Sequence, residues 1–194
     1  GMGCSTNAII HLIAIARRSG IKLTMDKLDE IGRKVPVIAN IRPSGKEYLM
    51  EDFYYAGGIL SLMYQLSDLL NLDEKTVTGK KIKEIIIKQI PINEDVIRPL
   101  KNPIYKEGSL AVLKGNLAPD GCVIKPAACE KKFLKHKGPV IVFDSYPEMN
   151  KIIDSDDLDV SENHVLVLRN VGPVGGPGMP CLLYTSPSPR DQLQ

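Results

Sequence analysis

The sequence predicts an α/β chain built in two styles, a helix-dominated first region and a small, mostly β second region that stops in mid-construction. Three observations carry this. Residues 1–89 repeat apolar positions at helical spacing, Pro91, Pro99 and Pro103 then break any regular helix, and short β-rich runs separated by turn residues follow. With 194 residues and 43% hydrophobic content, the chain is long and apolar enough for an ordinary globular core.

The first helix is expected over Ser5–Ser19, STNAIIHLIAIARRS, with Ser5 as N-cap and Gly20 as C-terminal stop. Ile9, Leu12, Ile13 and Ala16 share one face, so this helix is expected to be largely buried. Thr24 caps a second amphipathic helix through Leu28 and Ile31, and the apolar run Val35–Ala39 reads as a strand end or extended connection. The loop Arg42-Pro43-Ser44-Gly45-Lys46 ends that run. Two helical pieces follow, Met50–Ala56 and Ile59–Leu70, with Gly57-Gly58 allowing a kink or close backbone packing. Lys80–Gln89 is expected to be a basic amphipathic helix with a solvated charged face.

The proline-rich stretch reads as a linker, placing a domain boundary near residues 91–108. Beyond it, Leu110–Lys114, Cys122–Lys125, Val140–Phe143 and Val165–Arg169 are expected strands. Pro119-Asp120-Gly121 and Lys137-Gly138-Pro139 are the expected turns, and one helix is expected over Pro147–Ile153.

Charge and cysteine usage narrow the function classes. Lys plus Arg number 25 against 23 Asp plus Glu, and a net charge of +2 gives no basic field of the kind that holds nucleic acid. No stretch approaches the roughly 20 apolar residues that span a bilayer, so no membrane partner is expected. The opening Gly1-Met2-Gly3-Cys4 lacks a charged leader, which reads as cytoplasmic, and Ser5 caps a helix so soon that the chain reads as cut into an existing domain. Cys4, Cys122, Cys129 and Cys181 form no C-x-x-C pair or zinc-ribbon spacing. The first three read as small, semi-buried side chains in a reducing compartment.

Three constellations are candidates for chemistry. At the turn GMGCSTN, unpaired N–H groups at a helix start attract anions, and Ser5, Thr6 and Asn7 add polar groups, with His11 one turn further along. Plain capping accounts for the same residues, and a histidine among apolar neighbours is more often a core residue. Tyr48, Glu51, Asp52, Tyr54 and Tyr55 suggest metal or sugar-hydroxyl binding. Adjacent carboxylates point to different helix faces, however, and helix-dipole complementarity explains them as well. The run around Asp154, Asp156, Asp157 and Asp159 lacks the glycine and terminal glutamate of an EF-hand loop and reads as a solvated turn. The third, Val171–Pro180, completes neither a P-loop nor a dinucleotide fingerprint, but its alternating glycines and prolines suit a loop that presents a ligand group on its next residue.

Taken together, GCSTNAIIHLIAIARRSG, VPVIANIRPSGKEYLMEDFYYAGG, GSLAVLKGNLAPDGCVIKPAA and GPVGGPGMP resemble the dihydroxy-acid dehydratase / 6-phosphogluconate dehydratase family. The resemblance covers almost all of residues 1–180, in order. It implies that residues 1–95 are the end of an N-terminal α/β domain and residues 96–180 an incomplete C-terminal β-barrel-like domain. Members of the family dehydrate 2,3-dihydroxy acids to 2-keto acids with an iron–sulfur cluster and Mg²⁺. The resemblance therefore implies a small-molecule sugar-acid or dihydroxy-acid substrate and, for the parent protein, a homo-oligomer. PSGKEYLMEDFYYAGG and KHKGPVIVFDSYPEM look closer to sugar-acid dehydratases, of the arabinonate type, than to the branched-chain biosynthetic enzyme.

The same resemblance places the cluster cysteines and the Asp and carbamylated Lys that hold Mg²⁺ upstream of the STNA helix, and the serine base in a downstream G-R-F-S-G-G segment. None of these is in the sequence. A Mg²⁺-binding Glu is implied directly after GGPGMP, where this chain has Cys181. Residues 181–194, CLLYTSPSPRDQLQ, resemble a translated sequencing adapter and read as a disordered tail. The fragment is thus expected to be inactive, with no catalytic, cofactor or metal ligand of its own, and Ser5, Thr6, Asn7 and His11 remain as candidate substrate-binding residues.

Overall fold

A computed structural model describes residues 1–155 and 157–171, which fall into two compact units, Gly1–Leu134 and a second beginning at Lys135. Residues 172–180 of the glycine–proline stretch and the tail 181–194, together with Asp156, lie outside the described residues.

In the first unit, helix α1 spans Thr6–Arg18, and Ser5 caps it by accepting a hydrogen bond from the Asn7 N–H at 3.3 Å. Gly20, at φ 73°, turns the chain out of the helix as its position predicts. The helix is not largely buried: only Ile9 is, while Ile10, Leu12 and Ile15 are 40%, 45% and 63% exposed. Periodicity identifies the apolar face, but it is covered only in part, with Ile9 buried and Ile13 and Ala16 half-buried. Helix α2, Met25–Lys34, is capped by Thr24 and braced by Lys27–Glu30, Asp29–Arg33 and Glu30–Lys34 pairs at 2.6–2.8 Å.

The core lies around the extended run after α2. Val37, Ile38 and Ala39 are fully buried, and isolated antiparallel bridges join Val37 to Tyr105 and Ala39 to Ile97. The stretch that composition marks as a linker therefore contributes core: Val96 and Ile97 pack with Ile38, Ile41, Phe53 and Leu62. Prolines exclude helix there, but extended backbone remains open to them. Helices α3, Met50–Tyr55, and α4, Gly58–Gln65, meet at Gly57, whose φ of 113° only glycine adopts without strain. Ser67–Leu69 follows as a 3₁₀ turn.

Helix α5 covers only Ile82–Ile86, shorter than the basic period suggests. The Glu84 carboxylate closes its start by accepting from the Lys81 N–H at 2.6 Å, and Lys88, at φ 60°, stands in left-handed backbone just past its end. A hairpin completes the unit, β1 Ala111–Gly115 and β2 Ala118–Ile124, paired antiparallel. Pro119-Asp120-Gly121 is not the turn. Asn116-Leu117 turns the chain, and the register shift between Leu113 and Gly115 makes the proline–glycine stretch a bulge, with Gly121 at φ 108°. Short 3₁₀ turns at Pro126–Ala128 and Lys131–Leu134 close the unit.

The second unit holds strand β3, Val140–Phe143, helix α6, Tyr146–Ile152, and strand β4, Val165–Leu168; the strands pair in parallel with Val140 opposite Val165. Ser145 caps α6, and Glu148 accepts in return from the Asp144 N–H at 2.8 Å. Phe143 and Met149 form its buried centre. Arg169 pairs with Asp144 through Nε at 2.6 Å and through Nη2. Asp154, Asp157 and Asp159 are exposed, the solvated turn expected of them.

Candidate functional site

The head of α1 is held in place by residues far away in sequence. Ile38 and Ala39 N–H groups donate to the Gly1 carbonyl at 3.0 and 3.2 Å, fixing the opening loop on the most buried part of the chain. Gly3 follows at φ 79°, so close to Ser44 that a Cβ there would overlap the Ser44 side chain. Its carbonyl accepts from the Ser44 hydroxyl and from the Lys125 ammonium, each at 3.0 Å. Ser44 is itself buried, in a loop folded against Asn40, where Gly45 leaves no room for a side chain. Burial lowers the Lys125 ammonium below the usual lysine range, opposed by the nearby Cys4 thiol.

Of the four residues expected to line a site, Ser5 and His11 are exposed, and Thr6 and Asn7 are half-buried. They stand in the first two turns of α1, the first of which carries no acidic side chain. None of the four lines either neighbouring cavity: a small one of about 170 Å³ between Cys4, Ile9, Leu28, Ile31 and Ser109, and an open one of about 530 Å³ bounded by Lys46, Tyr105, Ser109, Cys129 and Lys131. Lys125 and Ser44 are the residues that sequence reasoning missed. Ser44 was legible only as part of a loop, and Lys125 only as the last residue of a strand; a lysine between the apolar run ending at Ile124 and Pro126 was the available signal.

The acidic–aromatic cluster divides by role. Asp52 accepts from the Leu49 N–H at 2.7 Å and so closes the start of α3, whereas Glu51, Tyr54 and Tyr55 are exposed, the two rings meeting edge to face. The cysteines also depart from expectation: Cys4 and Cys122 are exposed and only Cys129 is half-buried. Cys4 lies in the loop before the first helical turn, and Cys122 falls on an exposed position of strand β2. Among the described residues no group of three or more His, Cys, Asp or Glu side chains is arranged to hold a metal ion, so these residues by themselves do not fit an iron–sulfur cluster or Mg²⁺. No helix among them is long and apolar enough to cross a membrane.

Comparison with known proteins accounts for the chain. The model of the dihydroxy-acid/6-phosphogluconate dehydratase N-terminal domain matches residues 1–85, and that of the C-terminal domain matches residues 95–191. A 6-deoxy-6-sulfo-D-gluconate dehydratase of Pseudomonas putida is 46% identical over 182 residues, covering 92% of this chain and 31% of the relative. An L-arabinonate dehydratase of Rhizobium leguminosarum bv. trifolii is 46% identical over 180 residues, with the same coverage of 92% and 31%. A dihydroxy-acid dehydratase of Methanococcoides burtonii is 43% identical over 182 residues, covering 92% of this chain and 32% of the relative. The chain thus spans about a third of the length of the curated relatives it matches. With both domain models matched in order along one chain, it belongs to the dihydroxy-acid/6-phosphogluconate dehydratase family.

Proposed function

We propose that the protein to which this chain belongs is a cytoplasmic hydro-lyase that removes water from a 2,3-dihydroxy acid. The C2 proton and the C3 hydroxyl leave, and the resulting enol becomes a 2-keto acid. The observation that carries the reading is the alignment of 92% of the chain with dehydratases of this family. An aldonate such as arabinonate, giving a 2-keto-3-deoxy acid, is the favoured substrate, because two of the relatives named above are sugar-acid dehydratases at 46% identity. The dihydroxy acid of valine and isoleucine biosynthesis is the second reading, supported by the 43% identical dihydroxy-acid dehydratase.

In this reading residues 1–95 end an α/β domain and residues 96–180 begin a β-barrel-like one, in a protein that is a homo-oligomer and binds neither nucleic acid nor membrane. The iron–sulfur cluster and Mg²⁺ belong to the whole protein and are held by residues outside those described. Ser5, Thr6, Asn7 and His11 form part of the substrate wall at the head of α1. A hydroxylated substrate suits polar groups there better than an aliphatic pocket does.

The test is kcat/KM of the full-length protein, side by side, on arabinonate, xylonate and dihydroxyisovalerate. The reading expects the highest value on an aldonate. A preference for dihydroxyisovalerate selects the second reading, and no 2-keto acid from any of the three supports a non-catalytic binding module instead.

A further inference from the structure

We infer that Lys125 is a positioning residue for the dehydration, acting through the Gly3 carbonyl on the residues at the head of α1. The inference rests on the hydro-lyase reading and on the place of Ser5–Asn7 in the substrate wall. Lys125 stands at the end of the hairpin, 122 residues from Gly3, and its ammonium crosses to the Gly3 carbonyl at 3.0 Å. That carbonyl already accepts from the Ser44 hydroxyl at 3.0 Å, so Lys125 is not needed to satisfy an otherwise unpaired acceptor. Two donors arriving from separate elements occupy both lone pairs and fix the peptide plane that leads into Cys4 and Ser5.

Electrostatics makes simple cohesion a poor account of the lysine. A half-buried ammonium beside the positive end of a helix, with no acid in that helix's first turn, is an unfavourable placement for a residue that only joins two loops. A neutral donor would hold the same carbonyl at smaller cost. The position also admits only glycine, since any side chain would strike Ser44. The backbone from Gly3 to Asn7 is therefore set from both sides, by the double clamp before it and the Ser5 cap within it.

The experiment uses the full-length protein and compares wild type with Lys125→Met and Lys125→Arg, measuring kcat, KM and Tm on the acid that wild type turns over best. Misplacing substrate-wall residues by a fraction of an ångström predicts a fall in kcat of about tenfold to a hundredfold in the methionine variant, with KM much less affected. The arginine variant, which still donates, is expected to recover a large part of that loss. A role in cohesion alone would instead lower Tm and leave kcat per folded molecule within about twofold of wild type, and that result overturns the inference. Equal losses in the methionine and arginine variants overturn it too. Should the methionine variant fail to fold, Ser44→Ala removes the other donor and is expected to lower kcat severalfold; unchanged kcat there is a contrary result. Absence of 2-keto acid from wild type removes the hydro-lyase reading and this inference with it, whereas active wild type with an equally active Lys125→Met removes the inference alone.

Discussion

Gly3 and Asp29 show how much single residues fix here. Gly3→Ala places a side chain in left-handed backbone and against Ser44, so about 1–3 kcal/mol of stability is expected to be lost, read as a lower denaturant midpoint of the full-length protein. Asp29 joins two elements: it accepts from the Val112 N–H at 2.9 Å and pairs with Arg33 at 2.7 Å. The Val112 hydrogen bond first and Arg33 second hold its carboxyl below the usual aspartate range. Asp29→Ala is expected to cost about 1–2 kcal/mol, and Asp29→Asn less, because the amide oxygen still accepts from Val112. At this scale the sequence discloses what is local. Ser5 and Thr24 are recognisable as caps from their position before an apolar period. Ser44 and Lys125 are not, since their meeting at Gly3 depends on the packing of residues 41 and 122 positions away.

Elements were legible where a local pattern agrees with the tertiary environment. Strand β3 falls on Val140–Phe143 as its unbroken β-branched run indicates, and Gly57 separates α3 from α4 as a paired glycine suggests. Helix α5 ends early, Ile87 leaving helical backbone and Lys88 entering the left-handed region, neither of which the basic period of Lys80–Gln89 encodes. Pro119-Asp120-Gly121 carries turn chemistry but sits in a bulge, because the pairing of Val112 with Val123 sets the register and leaves the surplus residues to one strand. On α2, Glu30 is held at about 2 by hydrogen bonds from Lys27 and Lys34. Its folded pKa is depressed, so its contribution is complete above 4.5 and disappears as pH falls to about 2. The difference in stability between wild type and Glu30→Gln should follow that course. It should be small, and smaller still in high salt, because the pairs are exposed.

For the molecule as a whole, family membership was legible before any geometry, because four motifs in order carry it. The site was not, since Ser5, Thr6, Asn7 and His11 line neither of the cavities near the head of α1. The exposed Ile10, Leu12 and Ile15 of α1, and Leu49, Met50 and Ile59 around α3 and α4, present apolar surface of the kind that drives association. Residues 1–194 expressed alone should therefore elute from size exclusion as aggregates, and a monodisperse, cooperatively melting species would contradict that expectation. The central claim is that this chain is part of a dihydroxy-acid hydro-lyase. It is tested most directly by 2-keto acid release from arabinonate by the full-length protein, with residues 1–194 as the parallel sample. The account predicts steady release by the full-length protein and none by residues 1–194; release at equal rates from both, or from neither on any 2,3-dihydroxy acid, would contradict it.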